Sequence, residues 1–382
     1  MLNFFKKSQE KKESLLANEK SSRRARFHSL RVSDITRETS DCISVAFDVP
    51  DELVDDYTFI PGQYLTLEKE IGGEKIRRSY SLCSSPVDGE LRVAIKQVPG
   101  GKFSTFANQE LTVGAKVDVM TPEGKFYTPL DPANKKNYVA FAAGSGITPI
   151  FSIIKSVMAV EPESTFTLFF GNKTTQSVMF RDAIDALKNE HMNRLEVHHI
   201  LSREDQGTDM LKGHLDEAKC ISFSQKFFNV SEVDKYFICG PEAMINCIND
   251  SLLKLGADKA HVHYELFTSP SQNIAHKTKV SAEKKSDALT SAVTIILDGE
   301  ETHFDIASNG KNVLDAALDA GADVPYACKG AVCCTCRAKV LEGSVEMDMN
   351  YALEDDEVEE GFVLTCQTHP TSAKVVISYD EQ

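Results

Sequence analysis

From Phe27 to about residue 130, apolar and polar positions alternate in short runs such as FHSLRVSDITRET, CISVAFDVP, YLTLEKE and LRVAIKQVP, with Gly and Pro between them. Side chains two apart share one face of a strand, so these runs predict half-buried strands. Their number and turn spacing predict a small antiparallel β-barrel over residues 27–130. The pattern then changes. NYVAFAAGSGITPIFSIIKSVM reads as an apolar strand, a glycine turn and a helix, and TFTLFFGN, RLEVHHI and KYFICGP read as further strands separated by helical stretches. Successive strand-helix units predict an α/β domain with a parallel sheet over residues 131–268, ending after HVHYELF. Residues 269–290 are rich in Ser and Lys and poor in aromatics, the composition of a linker. Beyond them, SAVTIILDG and ETHFDIAS predict a hairpin, NVLDAALDAG a helix, and CRAKVLEG and AKVVISYD later strands, together a small mixed domain over residues 291–382. Residues 1–26, rich in Lys, Arg, Glu and Ser, read as a flexible basic extension.

A chain of 382 residues, 42% hydrophobic and 26% charged, suits two or three globular domains. No apolar run reaches the length of a membrane span, so integral membrane association is not expected. The opening MLNFFKK lacks the long apolar stretch of a secretory signal. Of ten cysteines, Cys42, Cys83, Cys220, Cys239 and Cys247 are scattered among predicted elements, a usage that fits reduced thiols in the cytoplasm. The net charge of −15 argues against nucleic-acid binding. It accommodates a positively charged protein partner and small anionic cofactors held by local cations. Residues 341–361 contain nine acidic and no basic residues, readable as a solvated face or as a recognition face for an electron acceptor.

The most specific chemistry is carried by GADVPYACKGAVCCTC at residues 321–336 and by the later VLTCQ. Cys328, Cys333 and Cys336 are separated by four and two residues, and Cys366 adds a distant fourth thiol, the plant-type spacing for a 2Fe-2S cluster. Structural zinc sites favour pairs with two to four intervening residues, so the spacing selects iron-sulfur over zinc. Cys334, between two of these thiols, reads as a packed neighbour. In RRSYSLCSSP, Arg78 offers a guanidinium fork for phosphate, Tyr80 an aromatic plane and Ser81 a hydroxyl donor. In PGGKFSTFA, glycines followed by a helix start suit either a pyrophosphate or a plain capped turn. GSGITP brings Gly144, Gly146 and Thr148 to a strand-to-helix junction, where a tight turn and a dinucleotide cradle are both open; it is not the GxGxxG fingerprint, and no acidic ribose reader follows at the usual offset. Cys239-Gly240-Pro241 is a second strand-end turn, either a buried thiol before a helix or a backbone face for a nicotinamide; no His partner supports nucleophilic chemistry at Cys239. His198 and His199, adjacent on a strand, face opposite sides and do not form one metal site.

Taken together, these phrases resemble the ferredoxin-reductase superfamily over nearly everything from Phe27 onward, and more closely the reductase components of bacterial phenylacetyl-CoA epoxidases. The resemblance implies an FAD-binding β-barrel, an NAD(P)-binding α/β domain and a β-grasp ferredoxin domain. It assigns Arg78, Tyr80 and Ser81 to flavin, Gly101 and Ser104 to the diphosphate, and Gly144, Gly146, Thr148, Cys239 and Gly240 to the nicotinamide nucleotide. It also places Ser202 and Arg203 near the adenosine ribose or its 2'-phosphate, tilting the donor toward NADPH over NADH, and sets Glu265 and Phe267 beside the flavin. The implied activity is an NAD(P)H-dependent relay through FAD and a 2Fe-2S cluster to an oxygenase, a diiron phenylacetyl-CoA epoxidase complex in the first instance. The reductase of a ring-hydroxylating or other oxygenase, and a redox-sensing interaction protein, are the competing expectations.

Overall fold

The computed structural model describes residues 25–267 and 289–381. It forms two compact units, the first ending at Phe267 and the second beginning at Thr268. The first opens with six antiparallel strands: β1 (Phe27–Thr39), β2 (Cys42–Asp48), β3 (Tyr64–Ile71), β4 (Glu74–Ser81), β5 (Leu91–Lys96) and β6 (Lys116–Met120), ordered β4-β3-β6-β1-β2-β5. A bridge between Leu82 and Val93 joins the two edges and closes the sheet into a barrel. Closure removes the exposed strand edges that an open sheet would present. The alternation read from the sequence fills its interior: Leu30, Val32, Val45, Leu65, Leu67, Val93, Ile95, Val117 and Val119 are at most 2% exposed. Helix α1 (Lys102–Gln109) seals this core with Phe103 and Ala107.

The second half of this unit is a five-stranded parallel sheet of β7 (Asn137–Ala143), β8 (Thr165–Asn172), β9 (Leu195–Leu201), β10 (Lys235–Gly240) and β11 (Val262–Leu266), in the order β11-β10-β7-β8-β9. The connecting helices are α2 (Ile147–Val160), α3 (Arg181–Glu190), α4 (Glu217–Lys226) and α5 (Glu242–Lys254). Tyr138–Ala143 of β7 and Leu168–Phe170 of β8 are continuous apolar runs because both sheet faces are covered. His198 and His199 follow that geometry, His198 stacking on Phe169 and His199 lying against Phe170. Strand order reverses between β7 and β10, which opens a crevice beyond their carboxyl ends.

Barrel and parallel sheet share one core. Cys42, Cys83 and Ala94 of the barrel pack in the same apolar cluster as α2. Ser152 Oγ donates to the Ser84 carbonyl at 2.6 Å, and the Ser85 and Ser156 hydroxyls lie 2.7 Å apart. The segment joining the two layers is tied down by Glu161, a fully buried carboxylate at the end of α2. It accepts from Tyr138 Oη at 2.9 Å, Ser164 Oγ at 2.7 Å, Asn134 Nδ2 at 2.6 Å and the Asp131 amide at 3.2 Å. A buried carboxylate is tolerated only with such partners.

The second unit is a β-grasp fold. Strands β12 (Thr290–Leu297), β13 (Glu300–Ala307), β14 (Arg337–Glu342), β16 (Phe362–Leu364) and β18 (Lys374–Ser378) form a mixed sheet ordered β13-β12-β18-β14-β16, while β15 (Val345–Met347) pairs with β17 (Thr368–Pro370). Asp298 and Gly299, both at positive φ, make the tight turn of the predicted hairpin. Helix α6 (Val313–Asp319) buries Val313, Leu314 and Ala317 in the core with Val293, Ile295, Val375 and Ile377. A short helix, α7 (Asp355–Glu359), precedes β16. Among the described residues no helix is long and apolar enough to cross a membrane. The proposed basic extension lies outside the described residues up to residue 24, and the linker up to residue 288; β12 begins at Thr290.

Candidate functional site: a strand-end crevice and a four-thiol loop

Strand β4 ends at Ser81, whose Oγ donates to Glu265 Oε2 at 3.0 Å. Glu265 is on β11, opposite Cys239 in the parallel register. One hydrogen bond thus brings the barrel against the crevice between β7 and β10. Gly146 and Gly240 allow the crevice walls to approach. A Cβ on Gly146 would stand 2.1 Å from the Cys239 carbonyl oxygen, and one on Gly240 would stand 3.2 Å from the Ala143 amide nitrogen. Gly144, at φ +54°, supplies the left-handed turn instead and has open space around it. Thr148 Oγ1 donates to the Ser145 carbonyl at 2.9 Å and braces the start of α2, whose first amides have no side-chain cap. The first of these amides, on Ile147, is itself bonded to the Gly144 and Ser145 carbonyls of the preceding turn.

Cys239 contributes backbone to this crevice, since its thiol is fully buried and burial pushes it well above the ordinary thiol range. That environment disfavours a thiolate nucleophile. On the barrel side, Tyr80 lies against Phe103 with ring centroids 5.7 Å apart, and Arg78 Nη1 donates to the Arg77 carbonyl at 2.6 Å. Ser104 Oγ accepts the Val98 amide at 3.1 Å and donates to the Gly101 carbonyl at 3.4 Å, so the hydroxyl holds the glycine turn ahead of α1. The turn is closely packed at Gly101, where a Cβ would sit 2.6 Å from Ser104 Oγ and 3.1 Å from the Val98 carbonyl oxygen. Phe267, immediately beyond β11, is 41% exposed. Ser202 and Arg203 follow β9, at the same carboxyl edge as the two glycine turns.

In the second unit the loop from Cys328 to Cys336 folds around its own sulfurs, with Lys329 and Ala331 at positive φ. The Cys328 and Cys333 sulfurs lie 3.1 Å apart, and Cys336 is hydrogen-bonded to Cys366, which arrives on a short turn after β16. Each pair has one thiol held up and one held down. Cys333 is pushed down to about 6, chiefly by its bond with Cys328, which is raised; Cys366 is lowered by Cys336, which is raised. The Gly330 amide donates to Cys328 Sγ at 3.2 Å, and Gln367 Nε2 approaches Cys366 Sγ at 3.6 Å. Among the described residues no three metal-ligating side chains gather as a single-ion site. Two thiol pairs with amide donors on their sulfurs instead present soft ligands of the kind that a two-iron cluster takes. Cys334 is turned aside, its thiol donating to the Ala352 carbonyl at 3.2 Å.

A closed barrel docked at the switch point of a parallel sheet, followed by a β-grasp unit with paired thiols, defines a flavin- and iron-sulfur-dependent oxidoreductase that uses a nicotinamide nucleotide. Residues 29–127 match the oxidoreductase FAD-binding domain, residues 141–250 the oxidoreductase NAD-binding domain, and residues 295–371 the 2Fe-2S iron-sulfur cluster binding domain. The chain is 41% identical over 354 residues to a subunit of 1,2-phenylacetyl-CoA epoxidase from Escherichia coli (strain K12), covering 93% of this chain and 98% of that one. It is 32% identical to the ferredoxin reductase component of 3-ketosteroid-9-alpha-monooxygenase from Rhodococcus rhodochrous, covering 92% and 96% of the two chains. The chain belongs to the ferredoxin-reductase family.

Solved structures agree on the fold. Phthalate dioxygenase reductase superposes with a TM-score of 0.54 at 22% identity, over 92% of this chain and 98% of that one. A type IV self-sufficient cytochrome P450 monooxygenase gives 0.64 at 21% identity, over 92% of this chain and 41% of that longer one.

Proposed function

We propose that the chain is the reductase component of a phenylacetyl-CoA epoxidase, drawing electrons from NAD(P)H and delivering them to a diiron oxygenase component in the cytoplasm. The observation that carries the relay is the Ser81–Glu265 hydrogen bond, which sets the end of the barrel's β4 against the crevice lined by Gly146 and Gly240. The particular oxygenase rests on the 41% identity to the Escherichia coli protein over nearly the whole of both chains. When bound, FAD supplies hydride acceptance from the nicotinamide, and the 2Fe-2S cluster supplies one-electron transfer.

The chain's own residues bind and orient. Arg78, Tyr80 and Ser81 hold the flavin, and Gly101 and Ser104 shape the turn that receives the diphosphate at the start of α1. Gly144, Gly146, Thr148, Cys239 and Gly240 form the nicotinamide crevice, with Ser202 and Arg203 toward the adenosine end. Glu265 and Phe267 border the flavin, Glu265 by fixing Ser81. Cys328, Cys333, Cys336 and Cys366 hold the cluster, and burial of the last three at 5% exposure or less limits water at the sulfurs.

Anaerobic ultraviolet-visible absorbance before and after adding NADPH or NADH, with iron and flavin quantified, tests the relay: flavin and iron-sulfur bands should both bleach. Reduced protein should then support epoxidation by the partner oxygenase. A colourless zinc protein, or a flavin that neither nucleotide reduces, would overturn the relay; bleaching without epoxidation would move the assignment to another oxygenase.

A further inference from the structure

Gln367, the residue after Cys366, carries a polar side chain yet is only 2% exposed. Its Nε2 reaches Cys366 Sγ at 3.6 Å and donates to the Lys329 carbonyl at 3.3 Å. Lys329 directly follows Cys328, so one amide ties the Cys366 sulfur to the loop that carries the other thiol pair. Both neighbours are acceptors, a sulfur that must be a thiolate to ligate metal and a carbonyl oxygen, so the nitrogen of the amide faces them. The amide oxygen is left over: Oε1 is buried with no hydrogen-bond partner among the described residues. A packed apolar side chain would avoid the desolvation penalty of that oxygen, so stability alone does not account for an amide here.

The anchoring of Cys366 does not depend on this amide. Thr365 donates its amide at 3.1 Å and its Oγ1 at 3.0 Å to the Cys336 carbonyl, and Tyr379 Oη lies 2.7 Å from Thr365 Oγ1. Because the Thr365 hydroxyl proton is committed to Cys336, Tyr379 is the donor in that last bond. The main chains of the two paired ligands are thus joined through Thr365. The Gly330 donor on Cys328 is likewise main chain, fixed by the loop. Gln367 instead supplies a donor that can be removed without altering the backbone.

An N–H aimed at a thiolate sulfur stabilises negative charge there, and a cluster carries one more negative charge once it has accepted an electron. Such a donor therefore raises the reduction potential.

We propose that Gln367 is a positioning residue for electron transfer: its side-chain amide clamps the Cys366 sulfur to the Lys329 carbonyl and biases the bound 2Fe-2S cluster toward its reduced form. In that step one electron leaves the reduced flavin and enters the cluster, and Gln367 keeps both amide protons. The inference rests on the reading of Cys328, Cys333, Cys336 and Cys366 as the cluster ligands.

The test is the midpoint potential of the cluster in the holoenzyme, from a redox titration followed by visible absorbance and electron paramagnetic resonance. Wild type is compared with Gln367→Met, which keeps the length of the side chain and removes its N–H groups. Iron content and Tm should stay at wild-type values, because Thr365 still holds the segment. The one-electron equilibrium between flavin and cluster should move toward flavin about tenfold, a fall of ~59 mV in cluster potential. Gln367→Asn, whose amide is one methylene short of the sulfur, should lower the potential in the same direction. The reduced wild-type cluster should also show an exchangeable amide-proton coupling, in pulsed measurements, that Gln367→Met lacks. An unchanged potential in Gln367→Met at full iron content, or identical proton couplings in both proteins, would overturn the inference. Loss of iron from both variants would overturn it as well, since Thr365 would then not suffice to hold the ligand. A wild-type protein without iron-sulfur bands would overturn the cluster reading and this inference with it, an outcome that metal analysis separates from the others before any potential is measured.

Discussion

Replacing Gly146 with alanine separates two reasons for a glycine at the crevice. Gly146 has φ −61° and ψ −9°, a conformation any residue adopts, so its constraint is space alone. The new methyl would lie 2.1 Å from the Cys239 carbonyl oxygen, 2.4 Å from its carbon and 2.7 Å from the Gly240 nitrogen, all backbone atoms. Even a tight 3.0 Å contact with that oxygen requires the turns after β7 and β10 to part by roughly 1 Å. Overpacking of this kind costs ~1–3 kcal/mol. At roughly 2–4 °C per kcal/mol for a unit of this size, the first unit should lose several degrees of Tm. Misplacement by 1 Å at a reacting centre costs on the order of a hundredfold in rate, so stopped-flow flavin reduction by NADPH should slow 10–100-fold. Gly144→Ala is the control: its cost is the positive φ, ~1–2 kcal/mol, with no neighbouring atom within 4 Å to push aside. Flavin reduction in Gly146→Ala at the wild-type rate would refute the steric reasoning.

Cys328→Ser should lower bound iron and bleach the iron-sulfur bands, whereas Cys334→Ala should keep both, because Cys334 bonds to the Ala352 carbonyl; metal analysis beside visible absorbance distinguishes them. Glu161→Leu strands the Tyr138, Ser164 and Asn134 donors and should destabilise the first unit by ~3 kcal/mol or more, read as a fall in urea midpoint. His263, packed on Phe237, is lowered to about 4, chiefly by burial and then by Lys235. The unfolded chain therefore binds the extra proton between its ordinary value near 6.5 and 4, so stability should fall as pH drops through that window, by ~1–2 kcal/mol after discounting partial exposure. His263→Phe should flatten that part of a urea-midpoint profile, and an identical slope would count against the assignment.

Much of the architecture was legible because it is local. Alternation over FHSLRVSDITRET, the continuous apolar strand YVAFA and the Asp298-Gly299 turn each carry their own period or dihedral requirement. The cysteine spacing was equally informative, since three thiols on one loop must converge. What spacing left open was their grouping as Cys328 with Cys333 and Cys336 with Cys366, which depends on where β16 delivers the last thiol.

The contacts that make the crevice were not legible, for a common physical reason. Ser81 and Glu265 are 184 positions apart, and nothing in either neighbourhood encodes the other. Gly146 was readable as a place where a ligand approaches, yet its nearest constraint is the Cys239 carbonyl brought alongside by strand order. Ser104 was readable as a phosphate contact, yet its hydroxyl first closes the Val98–Gly101 turn. Thr175 and Glu204 gave no periodic signal because both lie in polar loops and meet only where β8 and β9 end together. Small and polar side chains at strand ends therefore do two things at once: they build the turn, and the turn then presents backbone or charge to a ligand. The two roles separate by experiment only when one group is removed and the turn is kept, as Gln367→Met does for the amide donor while Thr365 still ties the turn to the Cys336 carbonyl.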